Sequence, residues 1–386
     1  MIESAEPIIG IDLGTSYTSV SAVVNGKVTM LADDTGAVQT PSVIAFPTRN
    51  EIVVGAAARA RLATDPLRTV ASPKRVLGRP FPDREVQTFL AQSPWRSTQG
   101  PDGGAMVEIW TQPYSFTQLC GYVLAEARGV AERRLGCSIQ RAALSVPVSF
   151  GPDRIAAVTR AAQLAGLEVI GTVAEPTAAA LANRSVPGFG GIVAIYDFGG
   201  GTFDCSIVDV TSRPGFRVLA TAGDTWLGGD DLDLVLAEAA ANQFWRQHKV
   251  DLRKQAVEWQ RLKFACEQAK RGLTTADTAV IAVPEVLRTA SGMVGLELKI
   301  DRATLARAAR ALLDRSLAVC DQALTDAGVD RSRLSGVYLS GGTCHMPVVH
   351  EAVARHFGVP VRIGVAPDHA VCLGTTIHAA NLRRAV

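Results

Sequence analysis

Two short runs, about half a chain apart, combine a carboxylate with glycines and a hydroxyl: Ile9-Gly10-Ile11-Asp12-Leu13-Gly14-Thr15-Ser16 and Tyr196-Asp197-Phe198-Gly199-Gly200-Gly201-Thr202. In each, a strand-like apolar run ends in Asp, and one apolar residue later come glycine and threonine. Glycine after a strand lets the backbone approach a polyanion, with its N–H groups aimed at phosphate oxygens. The threonine hydroxyl adds a neutral donor. An aspartate repels phosphate but can hold a hydrated magnesium ion, which keeps several waters and uses one or two carboxylates. Either run alone reads equally well as an ordinary tight turn. Two copies imply an internal duplication of a phosphate-binding hairpin, with Asp12 and Asp197 sharing a cation across a triphosphate.

Three further segments carry chemistry. Ala174-Glu175-Pro176-Thr177 sets a carboxylate just before a proline-started helix. Cys266-Glu267-Gln268-Ala269-Lys270-Arg271 puts Glu267, Lys270 and Arg271 within one helical turn, where they could bracket a ribose and base or form a solvated face. Ser340-Gly341-Gly342-Thr343 lies between an apolar strand and a helix, another place for close backbone approach. Other nucleotide signatures are missing: no Gly-Lys-Ser/Thr of a P-loop, no G-x-S-x-G elbow, and Gly188, Gly190 and Gly191 precede a strand where a dinucleotide fingerprint would follow one.

The elements that must position these residues follow from periodicity. Ile8 to Leu13 reads as a strand, and Val20–Val24 pairs with Val28–Leu31 across Asn25-Gly26, the favoured two-residue hairpin turn. Leu119, Val123, Leu124, Ala127 and Ala131 share one face of a helix over 116–135. A strand at 142–146, a helix at about 152–165, a strand at 168–173 and an alanine-rich helix after Pro176 complete the first half. The second half restarts with strands at 192–197, 203–210 and 216–222, then helices at about 229–248 and 252–271 and strands near 278–283 and 294–300. It ends with a helix at 301–327, a strand at 336–340 and helices at 346–357 and 368–383. Strand triplets followed by crossover helices, twice over, predict an α/β protein of two related lobes, 1–184 and 185–386.

Composition narrows the function class. With 47% hydrophobic and 20% charged residues in 386, the chain is globular and long enough for more than one domain. Lys and Arg total 39 against 37 Asp and Glu, so no global field favours nucleic acid or an anionic membrane. Apolar runs are strand-sized, short of the roughly 18 residues of a membrane span, and Met1 to Gly10 shows no secretory pattern. Seven scattered cysteines with no C-x-x-C pair fit neither a disulfide framework nor zinc. Cys266, beside the Glu267 cluster, reads as a buried helix thiol or a redox-sensitive one. A soluble, cytoplasmic, monomeric protein is the expectation.

Taken in order, these segments make the chain resemble the nucleotide-binding domain of the seventy-kilodalton heat-shock chaperone family (DnaK-type), within the actin-like ATPase group. The resemblance runs from Ile8 to Leu382 and is carried by 9–15, 74–78, 166–169, 175–181, 197–204, 223–233, 267–274, 341–343 and 367–374. Asp-Phe-Gly-Gly-Gly-Thr-Phe-Asp at 197–204 and Gly-Asp-Thr-Trp-Leu-Gly-Gly-Asp-Asp at 223–231 are its most specific pieces. It implies a two-lobed actin-like fold with duplicated ribonuclease H-like lobes, binding ATP or ADP with Mg²⁺ and K⁺ in the cleft between them. Lys74 would position the attacking water and neutralise developing charge. Asp12, Glu175, Asp197 and Asp204 would surround the ions and the water, with Asp12, Asp197 and Asp204 as the magnesium set. Gly14, Thr15, Ser16, Tyr17, Gly199, Gly200, Gly201 and Thr202 would clamp phosphates. Gly228, Gly229, Glu267, Lys270, Arg271, Thr274, Gly341, Gly342, Thr343, His345 and Asp368 would build the remaining nucleotide pocket.

The resemblance also implies a slow chaperone ATPase coupled to lobe closure, an exchange factor and a J-domain cochaperone. A nucleotide sensor with little turnover and an actin-like filament ATPase are the alternatives. Departures bear on coupling. His345 stands where the family commonly has an adenine-packing arginine. Gly171 replaces a J-domain-contacting arginine, Ala174 replaces an asparagine, and Ile155 takes the place of a relay arginine, with Arg154 adjacent. The sequence stops at Val386, where a linker and a peptide-binding domain would start, so either the chain is cut at a domain edge or the protein never had that domain; the changes at 155, 171 and 174 point to an unusual DnaK-like branch with altered cochaperone use.

Overall fold

The structure is a computed structural model that describes residues 7–211, 216–289 and 292–384. Residues 1–6, part of the stretch read as lacking a leader, and residues 385–386 fall outside it. Among the described residues, no helix is long and apolar enough to cross a membrane.

Two five-stranded paths share one topology. In the first half the order is Glu168–Ala174, Arg141–Val146, Ile9–Leu13, Tyr17–Val24, Lys27–Met30, with a short sixth strand, Thr40–Pro41, beside Tyr17–Val24. In the second half it is Val361–Arg362, Leu334–Ser340, Ile192–Phe198, Phe203–Asp209, Arg217–Asp224. Each has an antiparallel three-strand meander at one side and two parallel strands at the other. Antiparallel neighbours need only short turns, whereas the parallel ones require helical crossovers. Pro152–Leu164 and Pro347–Phe357 supply them at matching places. The duplication inferred from the two Asp-Gly-Thr runs is therefore a duplication of the whole lobe.

Local signals behave as their chemistry dictates. Asn25 and Gly26 both have positive φ, 50° and 77°, and turn the first hairpin. Phe116–Leu135 is one helix, closed at its start by a Ser115–Gln118 capping box and at its end by left-handed Gly136. The five residues expected on its buried face are all buried. Strands Ile192–Phe198 and Phe203–Asp209 are covered on both faces, so they read as continuous apolar runs.

The last helix departs from the expected division at residue 184. Ala370–Arg384 packs chiefly on Ile9–Leu13 and on Glu175–Asn183 of the first half. Ser21 Oγ hydrogen-bonds Thr376 Oγ1 at 2.6 Å and the Cys372 carbonyl at 3.0 Å. Glu175–Asn183 in turn touches Ile192–Phe198 of the second half. Each half thus lends its final helix to the junction, where Ala178, Ala179, Val193, Ile195, Tyr338 and Ala370 form a shared core. This helix also covers Gly171: a side chain there would come within 2.7 Å of Leu382 Cδ1.

The stretch 40–115 carries the parts that periodicity did not resolve. It holds a three-stranded sheet (Glu51–Val54, Val43–Thr48, Thr69–Ala71), a helix (Arg84–Ala91) and a meander (Arg96–Gln99, Ala105–Ile109, Gln112–Ser115). The second half extends through helices Gly229–His248 and Ala256–Gly272 and the ribbon Thr278–Thr289 with Gly292–Asp301. Helix Ala256–Gly272 packs on the first extension at its turns Arg61–Ala63 and Pro66–Arg68.

Candidate nucleotide site

A cleft of about 310 Å³ lies where the two hairpins meet. Its floor is carried by strand ends. Asp12 closes Ile9–Leu13, and Ser145 on the neighbouring parallel strand donates to Asp12 Oδ1 at 2.8 Å. In the second lobe Asp197 lies in register with Ser340 on its parallel neighbour and with Asp204 on its antiparallel one. Asp197 Oδ2 and Asp204 Oδ1 are buried with no hydrogen-bond partner.

That acidic floor is electrostatically unfavourable as it stands. Burial raises Asp197 well above the usual carboxylate range, and Glu175, Asp204 and Asp12 raise it further. Burial and Glu175 push Asp204 up to about 8. Asp12 is raised by burial and partly relieved by Lys74 and Ser145. A dication in the cleft would offset the repulsion and give the orphaned Asp197 Oδ2 a partner, so the donors present fit magnesium. Among the described residues no three such side chains converge as a direct metal cage.

Lys74 enters from the wall. It sits on the single turn Pro73–Arg75, entered through left-handed Ser72, and its ammonium donates to Glu175 Oε1 at 2.7 Å. Both side chains are buried. Glu175 is the first residue of its helix, with Pro176 behind it. The turn is fixed from below by Arg154, whose guanidinium donates to the Lys74 carbonyl at 3.0 Å and the Leu77 carbonyl at 3.1 Å and stacks on Phe150 at 3.5 Å. The arginine adjacent to the relay position is thus buried beneath Lys74.

The phosphate loops are held by backbone contacts. The helix Gly229–His248 starts against the second loop, with Gly229 N–H donating to the Gly199 carbonyl at 3.1 Å and Asp230 N–H to the Gly200 carbonyl at 2.8 Å. A Cβ on Gly228 would lie 2.3 Å from the Gly200 backbone, so only glycine permits this approach. Thr343 Oγ1 donates to the Gly199 carbonyl at 2.8 Å from the other side. Gly341, at φ 85°, turns the chain beneath it.

Of the expected site residues, Asp12, Gly14, Thr15, Ser16, Tyr17, Lys74, Glu175, Asp197, Gly199, Gly200, Thr202 and Gly229 line the cleft. So do Glu267, Lys270, Arg271, Thr274, Gly341, Gly342, Thr343, His345 and Asp368. Gly201, Gly228 and Asp204 sit behind this lining.

Lys270 has a structural tie the sequence did not suggest: its ammonium is bound to the Gly229 carbonyl and Asp233 Oδ2, both at 2.7 Å. Glu267 accepts from Arg59 at 2.7 Å across the cleft, and Arg271 stacks on the Tyr17 ring at 4.8 Å while bonding its hydroxyl. His345 pairs with Asp368 at 3.1 Å. Cys266 is fully buried, and burial pushes its thiol pKa upward, which fits a helix-core thiol.

A family model described as Hsp70 protein matches residues 8–385, which is nearly the whole chain. The chain belongs to the Hsp70 family. Its fold is the two-lobed actin-like ATPase fold of Hsp70, and it corresponds to the Hsp70 nucleotide-binding domain. Hsp70 proteins are chaperones that bind and hydrolyse ATP and work with cochaperones.

Sequence reasoning missed several Hsp70 cleft residues. Asp230 accepts from Ser16 of the first phosphate loop and from Ser72 beside Lys74, each at 2.8 Å. Arg75 binds Asp231 at 2.9 Å and the Gly200 carbonyl at 3.3 Å. Gln39 donates to the Asp368 carbonyl at 3.3 Å. The only available signal was adjacency: Arg75 follows Lys74, and Asp230-Asp231 follow Gly228-Gly229.

Proposed function

We propose that this chain binds ATP in the cleft and hydrolyses it slowly by attack of water on the γ-phosphorus. The observation that supports this most is the buried Lys74–Glu175 pair set between two glycine–threonine hairpins. The N–H groups of those hairpins and the hydroxyls of Thr15 and Thr202 would receive phosphate oxygens. The protein's contribution to such a reaction is positioning and charge stabilisation. Lys74 would hold the water and oppose charge developing on the phosphoryl oxygens. Burial raises the pKa of Glu175 despite Lys74, which suits a carboxylate that takes the proton of the water.

Asp12, Asp197 and Asp204 would hold hydrated magnesium, which supplies charge neutralisation on the phosphates. Potassium, implied by the family, would share this acidic floor. Glu267, Arg271, Thr274, His345 and Asp368 would face the ribose and base. Bound nucleotide would touch residues of both halves, so turnover would be coupled to closure of 1–184 against 185–369. A J-domain partner would meet an altered surface, because Gly171 is covered by Leu382.

The test is a single-turnover assay with radiolabelled ATP, with and without Mg²⁺, with Lys74→Ala as control. Magnesium-dependent phosphate release that vanishes in the variant is the expected result. Tight binding without release would overturn hydrolysis in favour of a nucleotide sensor.

A further inference from the structure

Beside the nucleotide cleft lies a second cavity of about 210 Å³, also built at the junction of the halves. Ser16, Asp230 and Glu267 line both spaces. Four aromatic side chains stand in its wall. Phe89 and Trp95, with ring centroids 6.4 Å apart, come from the first half, and Trp226 and Phe264 from the second. An engineered apolar cavity of roughly 150 Å³ in another protein holds one benzene ring, so this space suits two fused rings.

The polar groups of the wall are unevenly satisfied. Its carboxylates are engaged: Asp230 by Ser16 and Ser72, Asp231 by Arg75, Glu267 by Arg59, and Asp233 by Lys270, although Asp233 Oδ1 has no donor. Lys263 is different. Among the described residues its ammonium has one long hydrogen bond, 3.4 Å to the Gln92 carbonyl. Burial lowers its pKa to about 8, as expected for a cation short of partners. Trp226 stands in the same wall, with the Arg75 guanidinium 5.3 Å from its ring centroid. Lys263 is thus an under-used donor beside aromatic rings, which an acceptor on a flat molecule would complement.

We propose that this cavity is a second small-molecule site, taking a planar two-ring aromatic carboxylate whose rings pack on Phe89, Trp95 and Phe264 and whose carboxylate is received by Lys263. Such a ligand touches both halves and shares walls with the nucleotide cleft, so its occupancy slows nucleotide release.

The probe is 2-naphthoate, titrated by calorimetry and tryptophan fluorescence into the whole chain, both nucleotide-free and ADP-loaded. The neutral analogue 2-naphthylmethanol is run beside it. One saturable site in both forms is expected, with the neutral compound about tenfold weaker for want of a charge-assisted hydrogen bond. Lys263→Met should abolish that discrimination and leave ADP affinity unchanged, while Lys263→Arg should keep it. Naphthoate should also slow release of a fluorescent ADP from the wild-type chain. Absence of saturable binding, equal affinity for both compounds, or competitive displacement by ADP would each overturn the proposal. Neither titration depends on hydrolysis, and the comparison of the two compounds needs no variant.

Discussion

Lys74 and Glu175 meet at 2.7 Å although they are far apart in sequence, one on a single helical turn and the other at a helix start. Both are buried, so neither is a free surface charge. Taking one member from a buried pair leaves an uncompensated group, while replacing both is far better tolerated. That asymmetry separates a catalytic role from a structural one.

Lys74→Ala is expected to lower single-turnover hydrolysis by about 10²–10³-fold, the range for loss of one preorganised charge-stabilising donor. ADP affinity, carried by the hairpins, should persist. Adding Glu175→Gln should recover thermal stability lost in Lys74→Ala without recovering hydrolysis. Parallel loss of affinity and hydrolysis in the single variant would make Lys74 a packing residue.

The acidic floor makes nucleotide-free stability depend on pH. Asp204 is pushed from 3.8 to about 8 by burial and Glu175. A native state that holds its proton more tightly than the unfolded chain has that stabilisation in full below the unfolded value and loses it as pH rises through the folded value. The nucleotide-free Tm should therefore fall between about pH 4 and pH 8. Asp204→Asn should flatten that slope, and Mg²⁺ with ADP should stabilise the wild type most at the alkaline end. An unchanged slope in the variant, read by differential scanning fluorimetry, would contradict this account.

His345 gives the opposite edge of the cleft a titrating contact. Its hydrogen bond to Asp368 raises its pKa above 6.5, against burial and Arg271. The stabilisation is complete below 6.5 and disappears as pH passes the raised value. The Tm gap between wild type and His345→Ala should be widest below pH 6.5 and shrink as pH rises past it. His345→Arg, with permanent charge and greater reach, should tighten ADP binding; unchanged affinity by calorimetry would remove His345 from the base pocket.

Gly228→Ala places a methyl group 2.3 Å from the Gly200 backbone. The helix start must then withdraw from the second phosphate loop, at a cost of about 1–3 kcal/mol for overpacking. ADP affinity should fall along with stability. A variant that lost stability but kept affinity would show that the loop holds its shape without the helix.

Legibility in the sequence followed the range of the interactions. Helix 116–135, the Asn25-Gly26 hairpin and the two Asp-Gly-Thr runs are written in local spacing, and the structure builds them where that spacing puts them. Arg75, Asp230 and Ser72 meet only because the 40–115 extension folds over the second half, and no local pattern encodes that meeting. The same extension is made mostly of strands of a few residues and single turns around one eight-residue helix, too short for a period to show. Lys270 looked like a ligand from its place on the helix, yet Asp233 and the Gly229 carbonyl already claim its ammonium. The swapped terminal helix also escaped, because apolar faces on Glu175–Asn183 and Ala370–Arg384 say that each is covered and not by which half.

The serine behind Asp12 has no equal behind Asp197. Ser145 pins one oxygen of Asp12 at 2.8 Å, whereas Asp197 Oδ2 and Ser340 Oγ, its counterpart across the pseudo-symmetric junction, are both left without a hydrogen bond. A cation between the lobes would give Asp197 Oδ2 the partner it lacks, while Asp12 already holds one oxygen to Ser145, so the duplicated lobes share a plan while their two acids differ in what a load would supply.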